Sequence, residues 1–266
     1  MLQSAEAALL RQQRLTTVGI AAARRSWRLG DPGGLLPALT LLQGLAAQDS
    51  AASVDAMLAE QNIYAPEQHA VNTKALAGVA SDGRPLGSLL EQATSEHGLE
   101  LMAVTQIADA GRIAAGLSIA VRRHVGWVRM VTPPCCARCG ILAGKYFKWN
   151  TGFQRHPLCD CRHIPTQEDV AGDVRTDPKA LFNSGQVKDV TRAEQKAISE
   201  GADISRVINS RRSQYMDEAG HKLTFDATTK RGTGIAIRPT PEQIYRTAGD
   251  DQAAAVLQLQ RFGYIL

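Results

Sequence analysis

All five cysteines of the chain fall between Cys135 and Cys161, and two of its six histidines, His156 and His163, lie in or beside that stretch. The order is Cys136-x-x-Cys139, an arm, then His156-x-x-Cys159-x-Cys161-x-His163. Thiolates and imidazoles in two short-spaced groups are the donor set of a tetrahedral Zn²⁺ site. Each short spacing turns neighbouring ligands onto one ion, and the arm lets the second group fold back over the first. The candidate ligands are Cys136, Cys139, His156, Cys159, Cys161 and His163. Cys136, Cys139 and Cys159 are expected in the set, and the spacing does not choose the fourth among His156, Cys161 and His163. Cys135, adjacent to Cys136, would point elsewhere. Two other states stay open: disulfides, of which an odd number of cysteines leaves at least one thiol over, and thiols packed as small apolar groups. The crowding argues against the last.

Cys136-Ala-Arg-Cys139, Gly144, His156-Pro157-Leu158-Cys159-Asp160-Cys161 and Pro165 follow in that order. In composition and order this resembles the MuF-like minor head proteins of tailed bacteriophages, which carry C-x-x-C, a Gly, then HP-x-C-x-C and a Pro. Trp149, Gly152-Phe153 and the Cys-Asp-Cys-Arg-His run are similar to the forms found in phages of actinobacteria. The motif covers about an eighth of the chain. The chain departs from the family at Asp160, where members often carry Arg. The resemblance implies a structural minor capsid protein at the portal vertex, acting in head assembly. Its implied partners are the portal protein, the major capsid protein and packaged DNA, with several copies around the portal. The implied location is the virion, inside the capsid, after synthesis in the host bacterial cytoplasm. No catalytic constellation is expected. The alternative is a capsid maturation protease, with Cys135 as nucleophile and His156 or His163 as base, or a metal-dependent nuclease using His163 and Asp160. Neither Gly-x-Ser-x-Gly nor His-Glu-x-x-His occurs.

The elements that would position these residues can be read around them. Hydrophobic residues make up 44% and charged residues 21% of the chain, an ordinary balance for a folded protein. Aromatics at 5% leave Ala, Gly and Leu to build close-packed helices. The net charge of +4, from 30 Lys and Arg against 26 Asp and Glu, is too small to mark a nucleic-acid binder by itself. No run approaches the roughly 20 apolar residues of a membrane span. The N-terminal stretch, with Glu6 and two arginines, lacks the apolar core of a signal peptide. We therefore expect a reducing cytoplasm, where clustered cysteines favour metal over disulfide.

The fold class expected is α+β. A mostly helical N-terminal half precedes a small α/β module carrying the metal-stapled Cys/His loop, and a helical tail follows; the segments are 1–98, 99–165 and 166–266. Helices are expected over 2–29, 35–47, 51–62, 66–79 and 85–97, with Asp49 or Ser50 capping the third. Arg24, Arg25 and Arg28 near Trp27 read as a solvated basic face, or as a contact to DNA or an acidic neighbour. Over 99–124, Ala103, Ile107, Ala110, Ala114, Leu117 and Val121 form one apolar stripe, with Asp109, Arg112, Arg122 and Arg123 off it. The stripe faces the core or, in a second reading, another chain. Alternation over 127–132 predicts a strand, and Tyr146–Trp149 a second. Trp127, Phe147, Trp149 and Phe153 would form a small core beside the metal. Past Pro165 a loop is expected, then short helices over 179–201 with a Thr191/Glu194 capping box, a helix over 204–215, and a loop or weak hairpin over 220–238. Arg206, Arg211, Arg212, Lys222, Lys230 and Arg231 make this the most basic region. It reads as a solvated arm or as a nucleic-acid contact driven by counterion release. Two helices, 241–248 and 250–261, end in an apolar tail that docks on something.

Overall fold

The computed structural model describes residues 2–156, 159–225 and 237–265. In chain order the helices and strands are α1 (Gln3–Arg28), α2 (Leu36–Glu60), α3 (Leu86–Leu90), α4 (Glu96–Ala120), β1 (Gly126–Met130), β2 (Cys135–Cys136), α5 (Ala137–Ala143), β3 (Tyr146–Phe147) and β4 (Arg162–Thr166). They continue as α6 (Pro178–Asn183), β5 (Val187–Lys188), α7 (Arg192–Ser199), α8 (Ile204–Asn209), β6 (Gln214–Met216), β7 (Lys222–Thr224), β8 (Arg238–Pro239), α9 (Pro241–Ala248) and α10 (Gln252–Arg261). The class is α+β, as expected. The chain divides into two compact units: 1–132 with 144–176, and 133–143 with 177–266. The expected 99–165 segment is thus shared, with 133–143 assigned apart from α4 and β1.

In the first unit α4 packs against α2 and α1. Leu35, Leu39, Leu42, Leu86, Leu90, Leu99, Ala103 and Ile107 fill the core. Each buried leucine is worth roughly 1.5–3 kcal/mol, more than the few tenths by which one residue's helix propensity differs from another's. That excess explains the first correction. Asp49 and Ser50 do not begin a helix; α2 runs unbroken through them. Their side chains serve other elements: Asp49 pairs with Arg11 at 2.5 Å, and the Ser50 hydroxyl accepts from Arg162 at 3.3 Å. Gly111 allows the close approach of α4, since a Cβ there would sit 2.7 Å from the Ser50 Oγ.

Three further expectations change. No α-helix forms over 66–79, only a 3₁₀ turn at Thr73–Leu76. The segment is drawn onto the end of α4 instead, where the Gln68 N–H donates to the Val121 carbonyl at 2.9 Å and Glu67 accepts from Arg122 at 2.9 Å. The helix expected over 85–97 stops at Leu90, and Gly98 does not end it. It lies in the first turn of α4, donating its N–H to the capping Ser95 hydroxyl at 3.0 Å. The stripe on α4 is buried at Ala103, Ile107, Ala110 and Ala114, but Leu117 is 43% exposed, while Asp109, Arg112 and Arg122 off the stripe are buried.

The sheet of this unit has the order β3-β1-β4, all antiparallel. β4 is where a loop boundary was expected; Pro165 lies on it opposite Trp127, on an edge strand where a missing N–H is tolerated. Both β1 and β4 are buried along their whole length, so burial does not alternate.

The second unit is built from short elements around Ile141, Val207, Ile208, Ile244, Leu259 and Tyr264. β2 pairs in parallel with β5, and β6-β7-β8 form an antiparallel sheet where a loop or weak hairpin was expected. The helix begun at Ile204 ends at Asn209, short of 215, because Gln214–Met216 is taken into that sheet. The Thr191/Glu194 capping box forms, with Thr191 N–H donating to the Glu194 carboxylate at 2.8 Å and Glu194 N–H to the Thr191 hydroxyl at 3.2 Å. The apolar tail docks within its own unit: Tyr264 is fully buried and donates to the Pro239 carbonyl at 3.0 Å. Among the described residues, no helix is long and apolar enough to cross a membrane.

Candidate metal centre

The first cysteine pair opens α5, a short helix where a loop is expected from the sequence. Cys135 and Cys136 form β2, opposite Val187 and Lys188 of β5. The Asp189 carboxylate accepts from the Ala137 N–H at 3.3 Å, fixing the start of α5. One turn on, the Cys139 N–H donates to the Cys136 sulfur at 3.3 Å. An N–H aimed at sulfur favours the thiolate, the form a metal binds.

The second group sits on the chain entering β4. The Cys159 N–H donates to the His156 carbonyl at 3.2 Å. Cys159 and Cys161 are buried and His156 is exposed. Two pairs of thiols could each supply ligands to a metal ion: the potential ligand atoms of Cys136 and Cys139 lie within 4.8 Å of each other, and so do those of Cys159 and Cys161. Thiolates with at most one imidazole are a soft donor set, which suits zinc and poorly suits calcium or magnesium.

His163 belongs to neither group. As the second residue of β4 it lies opposite Arg129, on the sheet face that carries Trp127. Its ring packs against Trp127 at 4.6 Å and Phe153 at 4.5 Å between centroids. Trp127 stacks in turn on Phe147 at 4.3 Å, and the Arg129 guanidinium lies 4.0 Å from the centre of the Phe153 ring. Burial, and then the charges of Arg112, Arg129 and Arg162, push His163 down to about 3, so its ring is neutral. Its Nδ1 is buried with no hydrogen-bond partner among the described residues. The expected aromatic core therefore forms from Trp127, Phe147 and Phe153, while Trp149 is 57% exposed and stands apart.

Two residues off the apolar stripe of α4, Asp109 and Arg112, matter here. Arg112 donates from Nε to the Cys161 carbonyl at 3.0 Å, from Nη2 to the Cys159 carbonyl, and from Nη1 to the Asp109 carboxylate at 3.0 Å. The other Asp109 oxygen accepts from Arg155, the residue before His156. Asp109 and Arg112 are 4% and 8% exposed. The signal was available: two opposite charges three apart, inside an otherwise apolar helix, have to be paired to be buried.

The proposed nucleic-acid residues are placed as follows. Arg211 pairs with Glu194 at 2.7 Å and Asp189 at 3.3 Å; Lys222 pairs with Glu242 at 2.5 Å; Arg206 donates to the Gly263 carbonyl at 2.5 Å. Arg212 is exposed, and Lys230 and Arg231 lie outside the described residues. Comparison of the chain with protein-family models, with curated proteins and with solved structures finds no match in any of the three.

Proposed function

We propose that this chain is a MuF-like minor head protein of a tailed bacteriophage, a structural component of the portal vertex whose Cys/His loop is set by one zinc ion. The observation that carries the reading is the ordered run Cys136-x-x-Cys139, Gly144, His156-Pro-x-Cys159-x-Cys161, in which the sulfurs of Cys136 and Cys139, and those of Cys159 and Cys161, lie within 4.8 Å of each other. Structural zinc sites are closed by four protein ligands. Cys136, Cys139, Cys159 and Cys161, or His156 in place of one thiol, supply such a set. Bound zinc would add fixed geometry and no reactive group; the chain's own part is to hold its thiolates in place.

A non-catalytic role agrees with the residues an enzyme would need. His163 is packed against Trp127 and Phe153, and Cys135 is buried in a strand. In this reading the protein enters the capsid with the portal, contacts the portal and major capsid proteins in several copies, and meets packaged DNA. DNA contact would draw on the basic run that holds Arg206, Arg211, Arg212, Lys222, Lys230 and Arg231.

The test is co-assembly. Co-expressed with its portal and major capsid proteins, the full chain is expected to sediment with portal-containing particles, to remain after nuclease treatment, and to carry about one zinc per chain. Exclusion from such particles overturns the head-protein reading. Cleavage of capsid protein or DNA that disappears in Cys135→Ala overturns the non-catalytic one.

A further inference from the structure

Asp109 joins two guanidinium groups to the second cysteine group, and the Cys/His motif does not contain it. One of its oxygens holds Arg112 and the other Arg155. Arg112 spends its remaining donors on the carbonyls of Cys159 and Cys161, on either side of Asp160. Arg155 precedes His156 in the chain. A rigid helix, through one carboxylate, thus fixes the chain at Arg155 and at Cys159 to Cys161, beside or at three candidate ligands. Since Asp109 and Arg112 are almost wholly buried, these charge-assisted bonds act away from water, where they are strongest.

We propose that Asp109 and Arg112 are positioning residues for the metal: by gripping the Cys159 and Cys161 carbonyls they aim both thiolates before the ion arrives and so raise its affinity. This rests on the zinc reading above. A planar guanidinium with several donors in a fixed fork can hold two carbonyls and a carboxylate at once, and it sets the orientation of both peptide planes. Lysine, a compact charge, cannot reproduce that fork. Without the grip, ordering those peptides becomes part of the cost of binding. A merely structural role predicts something else: lower stability of the metal-free chain with no selective change in its affinity for zinc.

The experiment uses the full chain, purified under reducing conditions, as wild type, Arg112→Met, Arg112→Lys, Asp109→Asn and Arg122→Met. Arg122 is a comparably buried arginine of the α4 end, bonded to Asp55, Glu67 and Ser118, and none of its bonds reaches the Cys/His loop. Zinc dissociation constants are measured by competition with a chromophoric chelator. The absorption of the cobalt-substituted protein reports thiolate coordination, and circular dichroism confirms that each variant is folded. Arg112→Met and Asp109→Asn are expected to weaken zinc binding about 10–100-fold, the range for groups that orient metal ligands. Arg112→Lys is expected to recover only part of the loss, and Arg122→Met to bind as wild type does. If Arg112→Met does not fold, Arg112→Lys and Asp109→Asn carry the test. Wild-type affinity and an unchanged cobalt spectrum in folded Asp109→Asn and Arg112→Lys overturn the positioning role and leave the zinc reading intact. An equal loss in Arg122→Met overturns it as well, by showing general destabilisation. A wild-type chain that takes up no zinc overturns both.

Discussion

The two units bury their cations differently. In the first, Arg112, Arg129 and Arg162 are 8%, 1% and 9% exposed and donate to the backbone carbonyls of Cys159, Cys161, Gln154 and Ala8. In the second, Arg211 and Lys222 keep side-chain exposures of 29% and 31% and meet carboxylates. A carbonyl is part of the chain's path, so a guanidinium bonded to it fixes where the backbone runs. A carboxylate on a half-exposed surface mainly balances charge, and solvent and salt weaken the pair. Each unit has exceptions: in the first, Arg122 is 3% exposed and meets Asp55 and Glu67, and in the second, Arg206 donates to the Gly263 carbonyl at 2.5 Å, while Arg238 is 3% exposed, donates to the Phe262 carbonyl at 3.0 Å and lies 3.9 Å from the Tyr264 ring centre.

The comparison makes graded predictions. Arg129→Met should have the largest effect, about 2–4 kcal/mol in urea denaturation, because it removes a buried cation's bond to the Gln154 carbonyl and its contact with the Phe153 face. Arg238→Met should cost a similar amount if bond type and not location decides; a loss below about 1 kcal/mol in both would end the distinction. Glu194→Gln comes next, at about 1–2 kcal/mol near neutral pH. Burial alone would raise the Glu194 carboxyl, but the Arg211 and Thr191 hydrogen bonds outweigh it and hold the group below its ordinary value. A carboxyl depressed in the folded state contributes stability that is complete above the ordinary carboxylate range and lost as pH falls through the folded value. Acid titration of thermal stability should therefore show a drop in the wild type that Glu194→Gln lacks over that window. Lys222→Ala should change stability by no more than about 0.5 kcal/mol, and less at high salt.

What could be read from the sequence was mostly local. α1, the capping box at Thr191 and the two final helices depend on neighbours within a few positions, and they form where the pattern put them. The Cys/His grouping was legible because ligand spacing is itself local. The misreadings involve partners far along the chain. Asp49 and Ser50 looked like a helix start, yet their acceptors serve Arg11 and Arg162, dozens of positions away. Asp109 and Arg112 fall off the apolar stripe, because periodicity sorts residues by polarity and cannot register a carbonyl some fifty positions later. His163 looked like a ligand by spacing; the register of β4 against β1 turned it into the aromatic cluster instead.

The core of the second unit needs residues 137 and 141 from one end of a long detour and Tyr264 from the other. Between them, the chain leaves to supply residues 144–176 of the first unit before returning. Neither unit can therefore be excised with a single cut. Closing the second core means joining segments more than a hundred positions apart, a separation that slows folding because loop closure precedes the contacts that reward it. The helices of residues 1–120, whose contacts are closer in sequence, should gain protection from hydrogen exchange first during refolding, with Ile141 and Tyr264 among the last to be buried.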